Sequence, residues 1–149
     1  MLEIMRDVKN YFVGNIIAGI FEIRKGAIDL DKELLKGYKF VIIQADEKYG
    51  GLYSLSDRGS LLKDGKRVRD GRFTGTLYLL DPPEDFLSLA DEIKEYRKNN
   101  PQTGIVSESF GGYSYSLHSG GAANAPSGWR EVFRSRLNKY RKMFDSYGI

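Results

Sequence analysis

The chain has no cysteine and only one histidine among its 149 residues. Disulfides and thiolate chemistry are therefore excluded, and a zinc site would need one imidazole plus carboxylates; no metal or cofactor is expected. Long apolar runs are also missing. No segment approaches the roughly 18 consecutive apolar residues of a membrane-spanning helix, so no membrane partner is expected. The opening MLEIMRDVKN alternates charged and apolar residues and lacks the continuous apolar stretch and small-residue cleavage site of a signal peptide. This predicts a chain that stays where it is made.

Apolar residues make up 41% and charged residues 29%, which fits a globular protein rather than a disordered or fibrous one. The length suits one domain with its own core. A net charge of +3 is too small to argue for nucleic acid by itself, but its distribution is uneven. From Trp129 to Ile149 six basic residues (Arg130, Arg134, Arg136, Lys139, Arg141, Lys142) face two acidic ones, so this segment carries +4 and the rest −1.

Ile4, Met5, Val8 and Phe12 are spaced for a short amphipathic helix over residues 2–12, ending near Gly14. Apolar residues from Ile20 to Leu30 surround the turn-prone Lys25-Gly26 pair, predicting two short strands joined as a hairpin. YKFVIIQA (38–45) is a β-branched strand, LYSLSD a short segment after Gly50-Gly51, and residues 58–71 a polar loop. RFTGTLYLL (72–80) is another strand, in which Gly75 marks a bulge or a close backbone approach. Asp81 as cap, Pro82 at the first helical position and Glu84 predict a helix start. Its apolar stripe is Phe86, Leu87, Ala90, Ile93 and Tyr96, and Asn99-Asn100-Pro101 ends it. A last helix is predicted from Trp129 to Phe144, apolar on one side and basic on the other.

Catalytic patterns do not emerge. His118 lies in a Gly/Ser-rich loop with no spacing signal toward a carboxylate or nucleophile and is read as a solvated or interface residue. Ser107, Ser109, Ser114 and Ser116 lack the Gly-x-Ser-x-Gly elbow. The glycines of FGGYS and HSGGAANAPSG are not followed by the Lys-Ser/Thr of a phosphate loop. The pairs Asp29/Asp31 and Asp46/Glu47 fall in polar turns and are read as solvated. The basic last helix has three readings: a solvated face, a phosphate-neutralising surface with Tyr140 to stack on bases, or a contact for an acidic patch on a protein partner.

SESFGGYSYS (107–116) reads as a hairpin turning at Gly111-Gly112. Val106, Phe110, Tyr113, Tyr115 and Leu117 then share one side and the serines the other. An isolated hairpin is marginal in water, so the aromatic side must lie on the chain's own helices or on a neighbouring subunit. The segment Ser119–Gly128 reads as a flexible loop.

The order Ser107-Glu108-Ser109, Gly111, Tyr113-Ser114, a Gly-rich loop, then Trp129, Val132, Phe133, Leu137, Tyr140 and Arg141, resembles the C-terminal part of head-tail connector (adaptor) proteins of tailed bacteriophages. FTGTLYLLDPPEDFLSLADEI, IIAGIFEIRKGAIDL and the Gly37-Tyr38 strand are similar to such proteins from phages and prophages of Gram-positive hosts. Adaptors of this type are mainly helical. They form a ring, usually twelvefold, beneath the portal, and their C-terminal segments reach toward it.

The resemblance implies a non-enzymatic virion protein, assembled in the bacterial cytoplasm, that binds the portal and neighbouring neck or tail proteins while DNA passes through its channel. Its implied partner contacts are Phe110, Tyr113, Tyr115, Trp129, Arg134, Arg136, Tyr140, Arg141 and Lys142. Because residues 14–80 are strand-rich, the expected fold is α+β. A helical adaptor core of about three helices would carry a small antiparallel β subdomain inserted after the first helix and a β-hairpin before the last, all within one domain over 1–149, the hairpin and tail helix spanning about 105–149. The alternatives are another neck ring component, such as a head-completion or tail-terminator protein, or a small basic nucleic-acid-binding domain.

Overall fold

A computed structural model describes residues 1–100 and 128–149. Its organising feature is a long antiparallel ladder between β1 (Val13–Arg24) and β7 (Gly71–Leu80), in register from Ile23–Gly71 to Asn15–Leu79, with an irregularity between Val13 and Asn15. Between these strands in the chain come β2 (Ala27–Ile28), a one-turn helix α2 (Lys32–Leu35), β3 (Phe40–Gln44), β4 (Gly51–Leu55), β5 (Leu61–Lys63) and β6 (Lys66–Arg67). Together the strands form one seven-stranded sheet in the order β2-β1-β7-β3-β4-β5-β6.

The sheet curls back on itself. Ala27 bridges to Ser60, the Ile28 N–H donates to the Gly59 carbonyl and the Leu61 N–H to the Gly26 carbonyl, both at 2.9 Å. The result is a small barrel. Strand alternation sends Phe21, Ile23, Val41, Ile43, Tyr53, Leu55, Phe73, Leu77 and Leu79 into its interior, where Leu35 from α2 and Leu61 are fully buried.

The opposite face of β3, β4 and β7 carries Phe40, Ile42, Leu52, Tyr78 and Leu80, and the helices cover it. They are α1 (Leu2–Val8), α3 (Glu84–Asn99) and two short turns, α4 (Trp129–Val132) and α5 (Arg134–Asn138). Ile4, Met5, Val8, Phe86, Leu89, Ile93, Trp129, Phe133 and Leu137 pack there as a second cluster. The partly buried Phe12 and Tyr140 rings pack on the buried Phe86 at its edge, with ring centroids 4.6 to 6.0 Å apart.

This architecture overturns the expectation of a helical core with an inserted β subdomain. The sheet contributes to both clusters, and the helices coat one of its faces. Two misread stretches explain the difference. Gly14, near which the first helix is expected to end, lies inside β1, which runs for 12 residues because β7 pairs with it from Asn15 to Ile23 and again at Val13. The supposed polar loop at 58–71 contains the β5–β6 hairpin, turning at Asp64-Gly65 with φ of 53° and 75°. This positive-φ turn matches that of Lys25-Gly26, which the sequence did reveal.

Helix boundaries differ as well. The first helix stops at Val8, where Lys9 adopts φ 55° and the Lys9 and Asn10 N–H groups cap onto Arg6 and Met5. Tyr11 is thereby turned into the core. The third helix starts at Glu84 after Pro83, without a side-chain cap from Asp81. The predicted last helix breaks at Phe133 and ends at Asn138; from there the chain is tied to α1 instead, the Lys142 N–H donating to the Val8 carbonyl at 2.8 Å. The predicted hairpin at 107–117, with its turn at Gly111-Gly112, lies outside the described residues. No described helix is long and apolar enough to cross a membrane.

Candidate interaction surfaces

The basic C-terminal segment turns largely inward electrostatically. Arg130 lies 3.1 Å from Glu3 and 3.0 Å from Asp7, stacked over the Trp129 ring at 4.4 Å. Lys139 pairs with Asp85 at 2.7 Å, Arg136 with Glu92, and Arg141 with Asp7 at 3.2 Å while donating to the Asp7 carbonyl. Hydrogen bonding from Arg97, reinforced by Arg130, holds the Glu3 carboxyl below its ordinary pKa, and Lys139 does the same for Asp85. The acidic faces of α1 and α3 thus hold the positive tail against the body.

The sequence-derived contact residues accordingly separate into groups. Trp129 and Tyr140 belong to the protein's own second cluster, Trp129 fully within it and Tyr140 at its edge. Arg136 and Arg141 are exposed but paired within the chain. Among the described residues, no ion pair or side-chain hydrogen bond engages Arg134 or Lys142, and both are open to solvent. Phe110, Tyr113 and Tyr115 lie outside the described residues, as does His118.

A second surface, absent from the sequence reading, is the outer edge of β1. Ile16 and Ile20 stand 47% and 69% exposed on the same face as Ala18. β2 covers β1 only at Ile23 and Arg24. Because the two-residue turn pairs Arg24 with Ala27, strand alternation points the N–H and C=O groups of Ile16, Ala18 and Ile20 away from β7. The Glu22 carbonyl, in the same series, accepts from Asp29, and the Ile16 N–H is satisfied by Asn15 Oδ1 at 2.9 Å. No described residue pairs with Ala18 or Ile20 along this edge. The opposite end of the sheet is different: β6 consists of Lys66 and Arg67, charges of the kind that protect an edge from pairing. A third exposed apolar feature is the pair Met143 and Phe144 in the extended tail, 82% and 74% exposed.

The β5–β6 hairpin forms one wall of a groove of about 420 Å³, closed on the other side by the β3–β4 turn. Lys48, Lys63, Lys66, Arg67 and Arg69 line it, with Asp64 as the one acidic side chain. Its floor is Tyr49 and Tyr53, each 2% exposed; Lys48 and Lys63 sit over these rings at 5.1 and 5.7 Å, and Lys63 also donates to the Gly50 carbonyl at 3.3 Å. Burial pushes the Tyr53 hydroxyl up, and it donates to the Tyr49 carbonyl at 2.6 Å. Arg67 packs across Gly26, where any side chain would collide with it. Asp70 supports the groove from behind: the Lys25 and Gly26 N–H groups hold its carboxyl below the ordinary range. The available sequence signal was the density of cations in KDGKRVR, masked by reading the whole stretch as loop.

Comparison of the chain with protein-family models, with curated proteins and with solved structures finds no match.

Proposed function

We propose that the protein is a structural subunit of a ring in the head-tail connector of a tailed phage or prophage, joining the portal to the neck or tail. The observation that carries this reading is the coexistence of two unlike adhesive surfaces on one folded unit. The first is the apolar edge of β1, unpaired among the described residues; the second is the exposed Met143-Phe144 pair. Unlike surfaces make heterologous contacts, which close into rings when the rotation between subunits permits. An unprotected edge strand is a ready template for main-chain pairing with another chain. The sequence resemblance supplies the class of assembly. The side chains of Arg134 and Lys142, with no ion pair or hydrogen bond among the described residues, are the charges available to a portal.

The test is to purify the protein beside its portal and measure mass in solution, alone and mixed. A closed oligomer, or a stable complex with portal, supports the proposal. A protein that stays monomeric and never binds portal overturns it. Electron microscopy of the complex separates a portal-adjacent adaptor from another neck ring by its position.

A further inference from the structure

We propose that the groove between the β5–β6 hairpin and the β3–β4 turn binds the phosphodiester backbone of duplex DNA, without reading its sequence. Five cations converge on it, and none forms an ion pair among the described residues. The C-terminal cations, by contrast, are mostly neutralised by α1 and α3. Among the described residues the groove therefore gathers five cations without ion pairs, with Asp64 on its lining and Asp70 acting on Arg67.

Its chemistry selects phosphate over other anionic partners. A protein interface is anchored by aromatic or aliphatic side chains entering pockets, but here both tyrosines are buried beneath the lysines and Val68 is half-buried. The same burial removes the stacking platform that single-stranded binding uses. What remains is lysine and arginine heads on a short, exposed hairpin, which positions phosphates and carries no base readout. Lys48 approaches from the opposite wall, so a backbone crossing the groove meets charge on both sides. A monomer presents the whole groove, so binding there needs no ring assembly.

Fluorescence anisotropy with labelled duplexes of two unrelated sequences, titrated from about 50 to 200 mM salt, tests it. Both duplexes are expected to bind equally, with log affinity falling linearly against log salt. Replacing Lys63, Lys66 and Arg67 together by Gln should make that slope shallower by about 2.7, from roughly 0.9 per lost phosphate contact. The single change Lys48→Gln, on a separate turn, should flatten it by about 0.9 and guards against a hairpin variant that misfolds. Arg134→Gln with Lys142→Gln should leave the binding unchanged. Absence of saturable binding at the lowest salt, a strong preference for one duplex, or loss of binding only in the Arg134/Lys142 variant overturns the proposal.

Discussion

Asn10 joins the two ends of the described chain: its Nδ2 donates to the Tyr140 carbonyl at 2.9 Å, across 130 residues. Its Oδ1 accepts from the Phe12 N–H at 3.2 Å, at a residue held at φ 56°. Only 8% exposed, Asn10 is a buried polar group whose side chain serves both the bend after α1 and the docking of the tail. Asn10→Ala leaves a carbonyl and an N–H without these partners. A loss of about 1–3 kcal/mol in stability is expected, read from urea unfolding. A midpoint unchanged from wild type would mean that this bond does not hold the tail.

Gly75 lies on the inner face of β7, where the chain leaving β3 passes close by. A Cβ there would stand 2.5 Å from the Gln44 carbonyl oxygen and 3.0 Å from Ala45 Cβ. The close-approach reading of this glycine is the one that holds, because the β1–β7 register runs through Gly19–Gly75 without a bulge. Gly75→Ala should destabilise by about 1–3 kcal/mol, the usual range for overpacking. Thermal unfolding of the variant beside wild type measures it.

On the open edge, Ile20→Lys places a charge on a strand flank that is otherwise apolar. The side chain is already solvated, so folding stability should change by less than about 0.5 kcal/mol. Self-association, if built on this edge, should fall sharply. Sedimentation velocity at matched concentrations gives the answer; an oligomer that persists in the variant excludes β1 as the contact.

Acid should loosen the contact between tail and body. Glu3 and Asp85 have folded pKa values below their unfolded ones, so their contribution is complete above the ordinary carboxylate range, about pH 4, and is lost as pH falls through the folded values. Both are solvent-screened pairs, so the effect is small. Trp129, the single tryptophan, lies beneath Arg130 and near Arg97, and so reports it. Its fluorescence should shift below about pH 4 in wild type, and less in Glu3→Gln. A wild-type signal flat to pH 2 would remove the carboxylates from this role.

Local chemistry was legible where it is self-sufficient. The Lys25-Gly26 turn, the β-branched run of β3, and the stripe Phe86, Ala90 and Ile93 on α3 follow from backbone preference and periodicity within a few residues. What failed was what a distant partner decides. β1 keeps its strand past the irregularity at Gly14 because β7 pairs with it on either side, and β5–β6 exists because β4 offers an edge to pair with. The last helix stops at Asn138 because bonds to α1 and Asn10 replace another helical turn.

The candidate surfaces divide in the same way. The charge of the C-terminal segment was countable from residues alone, but its neutralisation required α1 and α3 to come within salt-bridge distance. The cations of KDGKRVR were equally visible, yet only the hairpin and the β3–β4 turn set them around one groove.

By itself, then, the sequence determined composition, the absence of cysteine chemistry, the tight turn at Lys25-Gly26 and the faces of its most regular elements, all properties of neighbouring residues. The tertiary structure alone decided that a sheet is the core and, among the described residues, which strand edge stays open and which positive charges remain unpaired. Those outcomes depend on hydrogen bonds and ion pairs between residues far apart in the chain, and periodicity carries no information about them.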